Sequence, residues 1–123
     1  MEIPDTGDGS GGSTAREDTM AEYNLITCVV QRGKADELVK EALKAGAAGA
    51  TMYFARGTGV RERLGLLGSF IQPEKEVVFI IAKPEETDTL FDTIVKKARL
   101  DKPGNGIAFV QPLTRVVGFL EFK

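Results

Sequence analysis

The chain has 123 residues, 16 basic and 18 acidic side chains, a net charge of −2, one cysteine and no histidine. That length suits one domain with a core large enough to fold alone. The slightly acidic balance argues against a general nucleic-acid binder, which usually carries a basic face, and the missing histidine excludes the common forms of zinc site, Cys-His nucleophile and Ser-His-Asp triad.

Residues 1–22, MEIPDTGDGSGGSTAREDTMAE, hold almost no large apolar side chains. Such a stretch buries too little surface to offset its ordering entropy. It reads as a disordered native tail or an expression remnant, with Met20 as an alternative start, so one folded domain is expected over 23–123. The sequence shows no signal peptide and no long apolar run, which makes a cytoplasmic protein without membrane insertion the expectation.

The segment Asn24–Val30 is apolar and β-branched, a strand, and Cys28 within it reads as a small core residue. From Lys34 to Ala45 the apolar positions Leu38, Val39, Ala42 and Leu43 share one helical stripe, with Asp36 and Glu37 in the first turn and Lys44 in the last. Gly46 closes that helix, and Ala50–Ala55 is a second strand. A third strand runs over Glu76–Ala82. Pro84 then opens a second helix with the stripe Leu90, Phe91, Ile94, Val95 and Ala98. The turn Asp101–Gly106 leads to a fourth strand at Ile107–Val110, and Arg115–Leu120 reads as a strand-like tail.

Two βαβ halves of one pattern, joined by right-handed crossovers, predict an α+β fold: a ferredoxin-like βαββαβ sheet, antiparallel, with both helices on one face. The central strands LITCVV and VVFIIA do not alternate apolar with polar residues, so both faces should be buried. Helices can cover only one. The other is expected to meet further copies of the chain, giving a homo-oligomer with its sheets facing inward.

The connection over 57–75 is far longer than the two to five residues a hairpin needs. It divides into Gly57-Thr58-Gly59, the basic pair Arg61 and Arg63, and an apolar run holding Leu64, Leu66, Leu67, Phe70 and Ile71, and it ends at Lys75. Gly57-Thr58-Gly59 and Gly104-Asn105-Gly106 are either plain turns or nests of backbone N–H groups for an anion, expected at the ends of neighbouring strands. Arg61, Arg63 and Lys75 could supply positive charge there or form a solvated pattern with Glu62, Glu74 and Glu76. Full burial of each large apolar residue of the insert is worth about 1.5–3 kcal/mol. Either the run folds back on its own assembly or a partner covers it.

The fold also serves RNA-recognition modules and acylphosphatases. Asn105–Pro112 matches the RNA-binding strand signature only in its Gly-x-Ala-Phe-Val part, lacking the leading base and two aromatics, and Arg32-Gly33-Lys34 is a thin version of a phosphate-cradling loop.

The element order, the Gly57-Thr58-Gly59 leaving strand two, the long insert and the run GNGIAFV at 104–110 together resemble the PII signal-transduction proteins, the nitrogen regulatory family. The likeness spans about residues 23–120, and the family signature ends GDGKIFV. The resemblance implies homotrimers of ferredoxin-like subunits that are not enzymes. It further implies adenine-nucleotide binding in clefts between subunits and a long T-loop, here the insert, that docks onto enzymes, regulators or membrane transporters. By it, Gly57 and Gly59 stand at the T-loop base, Gly104 and Gly106 in the phosphate-contacting B-loop, and Asn105 where the family has Asp.

Several family residues are replaced. Ile107 takes the place of the B-loop lysine, and Gly118 and Leu120 that of two arginines reaching a neighbour's nucleotide, though Arg115 remains upstream. Val60-Arg61 replaces an Arg-Gln pair whose glutamine helps hold magnesium and 2-oxoglutarate, and Glu74 replaces a phosphate lysine beside Lys75. The insert is shorter and carries no tyrosine for uridylylation. Each lost charge-assisted hydrogen bond is worth roughly 1.5–3 kcal/mol, so ADP or AMP is expected in preference to Mg-ATP. The expected function is a non-enzymatic regulator, in nitrogen regulation by resemblance, with Gly57, Thr58, Gly59, Arg61, Arg63, Lys75, Gly104, Asn105 and Gly106 as ligand residues and the apolar run as the docking surface. A ligand-free scaffold trimer and a small acyl or phosphoryl hydrolase remain the alternatives.

Overall fold

In the computed structural model six elements follow in order: β1 (Tyr23–Gln31), α1 (Ala35–Lys44), β2 (Thr51–Arg56), β3 (Glu74–Ala82), α2 (Pro84–Ala98) and β4 (Gly106–Leu113). The structure describes residues 22–57 and 74–118. The readings made for Thr58, Gly59, Val60, Arg61, Arg63, Leu64, Leu66, Leu67, Phe70, Ile71 and Leu120 lie outside the described residues.

All strand pairs are antiparallel, in the order β2-β3-β1-β4, which is the ferredoxin-like arrangement. Alternation along the two central strands sends Ile26, Cys28 and Val30 of β1 and Val78, Ile80 and Ala82 of β3 to one face. There they meet Ala35, Leu38 and Ala42 of α1 and Leu90 and Ile94 of α2. This single layer of helix on sheet is the core, and each of its large side chains contributes about 1.5–3 kcal/mol by leaving water.

The opposite face is also apolar. Val29 faces Val77 on one side and Ile107 on the other, Leu25 faces Ile81, and Thr27 lies between Phe79 and Phe109. Tyr53 of β2 sets its ring edge-on to Phe79, centroids 5.4 Å apart. In the middle of this face Thr27 and Val77 are buried, whereas Tyr53, Ile107 and Phe109 on the edge strands are 41–56% exposed. The apolar character read on both faces of β1 and β3 is therefore present, with its open part on β2 and β4.

Helix ends are closed by tertiary as well as local contacts. The N-cap residue of α1, Lys34, offers no side-chain acceptor, and a carboxylate from the sheet does the work: Ala35 N–H donates to Glu76 Oε1 at 2.8 Å. At the other end Ala47 N–H donates to Ala42 O and Gly46 N–H to Leu43 O, a Schellman closure. α2 starts on Pro84, and Thr87 Oγ1 donates to Lys83 O at 2.7 Å while accepting from Asn24 Nδ2 at 3.0 Å.

Three boundaries differ from the sequence reading by more than one residue. β3 begins at Glu74, so Glu74 and Lys75 are strand residues rather than the end of the insert. β4 continues through Pro112, tolerated because an edge strand leaves one row of its backbone unpaired. No strand forms over Arg115–Gly118, for Leu113 already pairs with Tyr23, the first residue of β1, and no partner remains beyond it.

Candidate functional site

The register gathers four chain segments at one end of the sheet. β1 ends there at Gln31, β2 at Arg56, β3 begins at Glu74 and β4 at Gly106, because Gln31 pairs with Lys75, Arg56 with Glu74 and Val30 with Gly106. Gly57, Lys75 and Gly104–Gly106 therefore share that end. The two glycine elements do not leave neighbouring strands, as the sequence suggested. β2 and β4 are opposite edges of the sheet with β3 and β1 between them, which separates the strands by roughly 14 Å. The sequence shows only that both segments border strands; strand order is decided by the crossovers.

Each element is held in its own way. Gly106 lies against β1 so closely that a Cβ built on it would fall 2.3 Å from Val29 O, and its φ is +142°. Only glycine fits that contact. The turn before it is pinned by side-chain amides: Gln31 Nε2 donates to Gly104 O at 3.0 Å, and Asn105 Nδ2 donates to Arg99 O at 2.9 Å. Asn105 N–H is likewise bonded inward, to Lys102 O. Asn105 thus braces the turn from within.

Lys75 sits on the open face of the sheet, two residues before Val77, and is 8% exposed. Beside it Arg56 and Glu74 form an ion pair at 3.7 Å across the base of the insert. The other Glu74 oxygen, Oε1, is shielded from solvent and accepts no hydrogen bond among the described residues. On the helix face a concavity of about 230 Å³ opens where the start of α1, the end of α2 and the glycine turn meet. Lys34, Glu37, Lys97 and Arg99 line it with Gln31 and Asn105. The sequence reading missed it, since Lys97 and Arg99 look there like ordinary complements to a helix C-terminus.

Cys28 is buried in the core, and desolvation pushes its thiol up to about 11. Among the described residues no cluster of three His, Cys, Asp or Glu could hold a metal ion, and no helix is long and apolar enough to cross a membrane. What this end of the sheet offers is two glycine-bearing segments, a lysine at the rim of an apolar face, and basic side chains: equipment for holding an anion.

The family model described as "Nitrogen regulatory protein P-II" matches residues 23–119. Among solved structures, Arabidopsis thaliana PII bound to citrate superposes with a TM-score of 0.58 at 21% sequence identity, over 76% of this chain and 79% of that one. At that identity the likeness concerns the fold.

Proposed function

The chain belongs to the nitrogen regulatory protein P-II family, and from that membership we propose a non-enzymatic signalling regulator that binds a small anionic metabolite and transmits its presence through the insert over 57–75. The ligand is an adenine nucleotide, ADP or AMP before Mg-ATP, held in a cleft between subunits of a cytoplasmic homotrimer. The regulated partner is an enzyme or a membrane transporter, docked by Leu64, Leu66, Leu67, Phe70 and Ile71, with nitrogen status as the signal. Residues 1–22 form a tail outside this domain.

One observation carries the reading. Gly57, Lys75 and Gly104–Gly106 stand at one end of a sheet whose open face ends in exposed Tyr53, Ile107 and Phe109. A planar base can lie against such a face while Lys75 and the glycine N–H groups take the phosphates, with Arg61 and Arg63 of the insert as further sources of positive charge. The roughly 14 Å between the two glycine elements is spanned by a ligand of nucleotide length and by a second subunit closing over it. The citrate of the Arabidopsis protein is also a small polyanion, in keeping with this chemistry.

Calorimetry with ADP, AMP and Mg-ATP tests the reading. ADP or AMP should bind, and Lys75→Ala should weaken binding about 10- to 150-fold, the equivalent of one charge-assisted hydrogen bond of roughly 1.5–3 kcal/mol. In sedimentation the chain should run as a trimer and Phe109→Asp as a monomer. Failure of every nucleotide to bind a confirmed trimer would favour the ligand-free scaffold, a reading that Ile107 supports by standing where the family keeps a lysine.

A further inference from the structure

The pocket on the helix face is a separate place from the nucleotide cleft, and its composition is specific. α1 and α2 run antiparallel over the sheet, so the first turn of α1 lies beside the last turn of α2. Lys34 comes from the β1–α1 turn, Lys97 and Arg99 from the end of α2, and Glu37 from the first turn of α1. None of the three cations forms an ion pair among the described residues. The walls behind them are apolar: Val30, Leu38 and Ala98.

Arg99 is held in a costly way. Its φ is +54°, the one non-glycine residue with positive φ among the described residues. A non-glycine residue in that conformation persists only where its surroundings fix it. Here Asn105 Nδ2 accomplishes this by bonding Arg99 O at 2.9 Å, and Leu100 N–H and Arg99 N–H close α2 onto Val95 O and Lys96 O. Glycine would do the same structural work at lower cost. The arginine instead adds a cationic side chain to the residues that line the pocket.

We propose that this pocket binds a compact organic dianion: two acidic groups for Lys34, Lys97 and Arg99, and a hydroxyl or ammonium donor for Glu37. A volume of about 230 Å³ equals that of roughly seven or eight liquid waters and suits a short hydroxy- or amino-dicarboxylate. A phosphate fills less of it and cannot offer two separated acidic groups to Lys34, Lys97 and Arg99. An occupant lies against Gln31 and Asn105, the two side chains that pin the glycine turn, so it is placed to act as an effector of that turn.

The test is a titration of the full-length protein with L-malate, succinate, inorganic phosphate and sodium chloride at constant ionic strength, read by amide NMR shifts. Malate should give saturable shifts at Lys34, Glu37, Arg99 and Asn105, succinate and phosphate should bind more weakly, and chloride should give no saturation. Glu37→Ala should equalise malate and succinate. Arg99→Gly should raise the melting temperature and yet lower malate affinity about tenfold or more, a pairing that a purely structural arginine cannot produce. Malate shifts that never saturate, or that survive unchanged in a folded Lys34→Glu/Arg99→Glu variant, would overturn the proposal. ADP binding to that variant is a separate readout, unchanged if the nucleotide cleft lies on the other face of the sheet, so the two proposals fail independently.

Discussion

Replacing Gly106 by alanine should be far more damaging than the same change at Gly33, although both glycines have positive φ. At Gly33, with φ +93°, an added Cβ meets nothing within 4 Å, so the cost is conformational alone, about 1–2 kcal/mol. At Gly106 the new Cβ would lie 2.3 Å from Val29 O and 3.2 Å from Val30 Cα, both backbone atoms of a central strand. Nothing there is a flexible side chain that can swing away. Relief requires lifting the start of β4 from β1, which forfeits one or two backbone hydrogen bonds of about 1 kcal/mol each beyond the conformational strain. The sum is roughly 2–4 kcal/mol. For a domain near 100 residues, 1 kcal/mol moves the melting temperature by about 4–8 °C, so Gly106→Ala should lower it by at least roughly 8 °C and Gly33→Ala by about half as much. Differential scanning calorimetry on the two variants decides the matter. Equal losses would mean that β4 can shift freely against β1, and the rigid placement of the glycine turn would have to be abandoned.

Two further outcomes are expected. Glu76→Ala leaves the buried Ala35 N–H without its acceptor and should cost about 1–3 kcal/mol in urea unfolding, whereas Glu76→Gln keeps a carbonyl oxygen and should cost less; equal losses would remove the capping role. The Cys28 thiol is raised by burial to about 11 from 9.0, so the folded state holds its proton more tightly. Its contribution to stability is complete below about pH 9 and is lost as pH rises towards 11. Wild type should therefore lose more stability than Cys28→Ala across that interval, and parallel pH profiles would contradict the assignment.

Much of the fold is legible in the sequence because its signals are local. The α2 stripe of Leu90 and Ile94 follows the helical period, and β1 and β3 announce themselves by β-branched runs. What escaped the sequence depends on pairing. The fourth strand is read only to Val110, since sheet order alone reveals that β4 is an edge on which Pro112 is tolerated. Lys75 looked like part of the insert because the register with Gln31 draws it into β3. Glu76 caps a helix 41 positions away in sequence, and no spacing rule connects the two. The helix-face pocket is hidden for the same reason: Lys34 and Arg99 are 65 positions apart until the helices pack antiparallel. Of the candidate ligand residues, Gly57, Lys75, Gly104, Asn105 and Gly106 can be placed, and Asn105 proves to brace the turn it was expected to serve as a ligand contact.

The seclusion of Cys28 also makes the protein easy to instrument. The chain has one cysteine, it is buried beneath both helices, and its thiol stays protonated at neutral pH, so alkylating dyes will pass it by while the fold is intact. Ala48, exposed on the α1–β2 connection, lies a full strand length from Gly57, about 20 Å along β2. A cysteine introduced at that position gives single-site labelling or surface tethering at the end of the sheet remote from every proposed ligand. The wild-type thiol needs no removal, and both binding proposals can be followed by fluorescence or interferometry on one immobilised preparation.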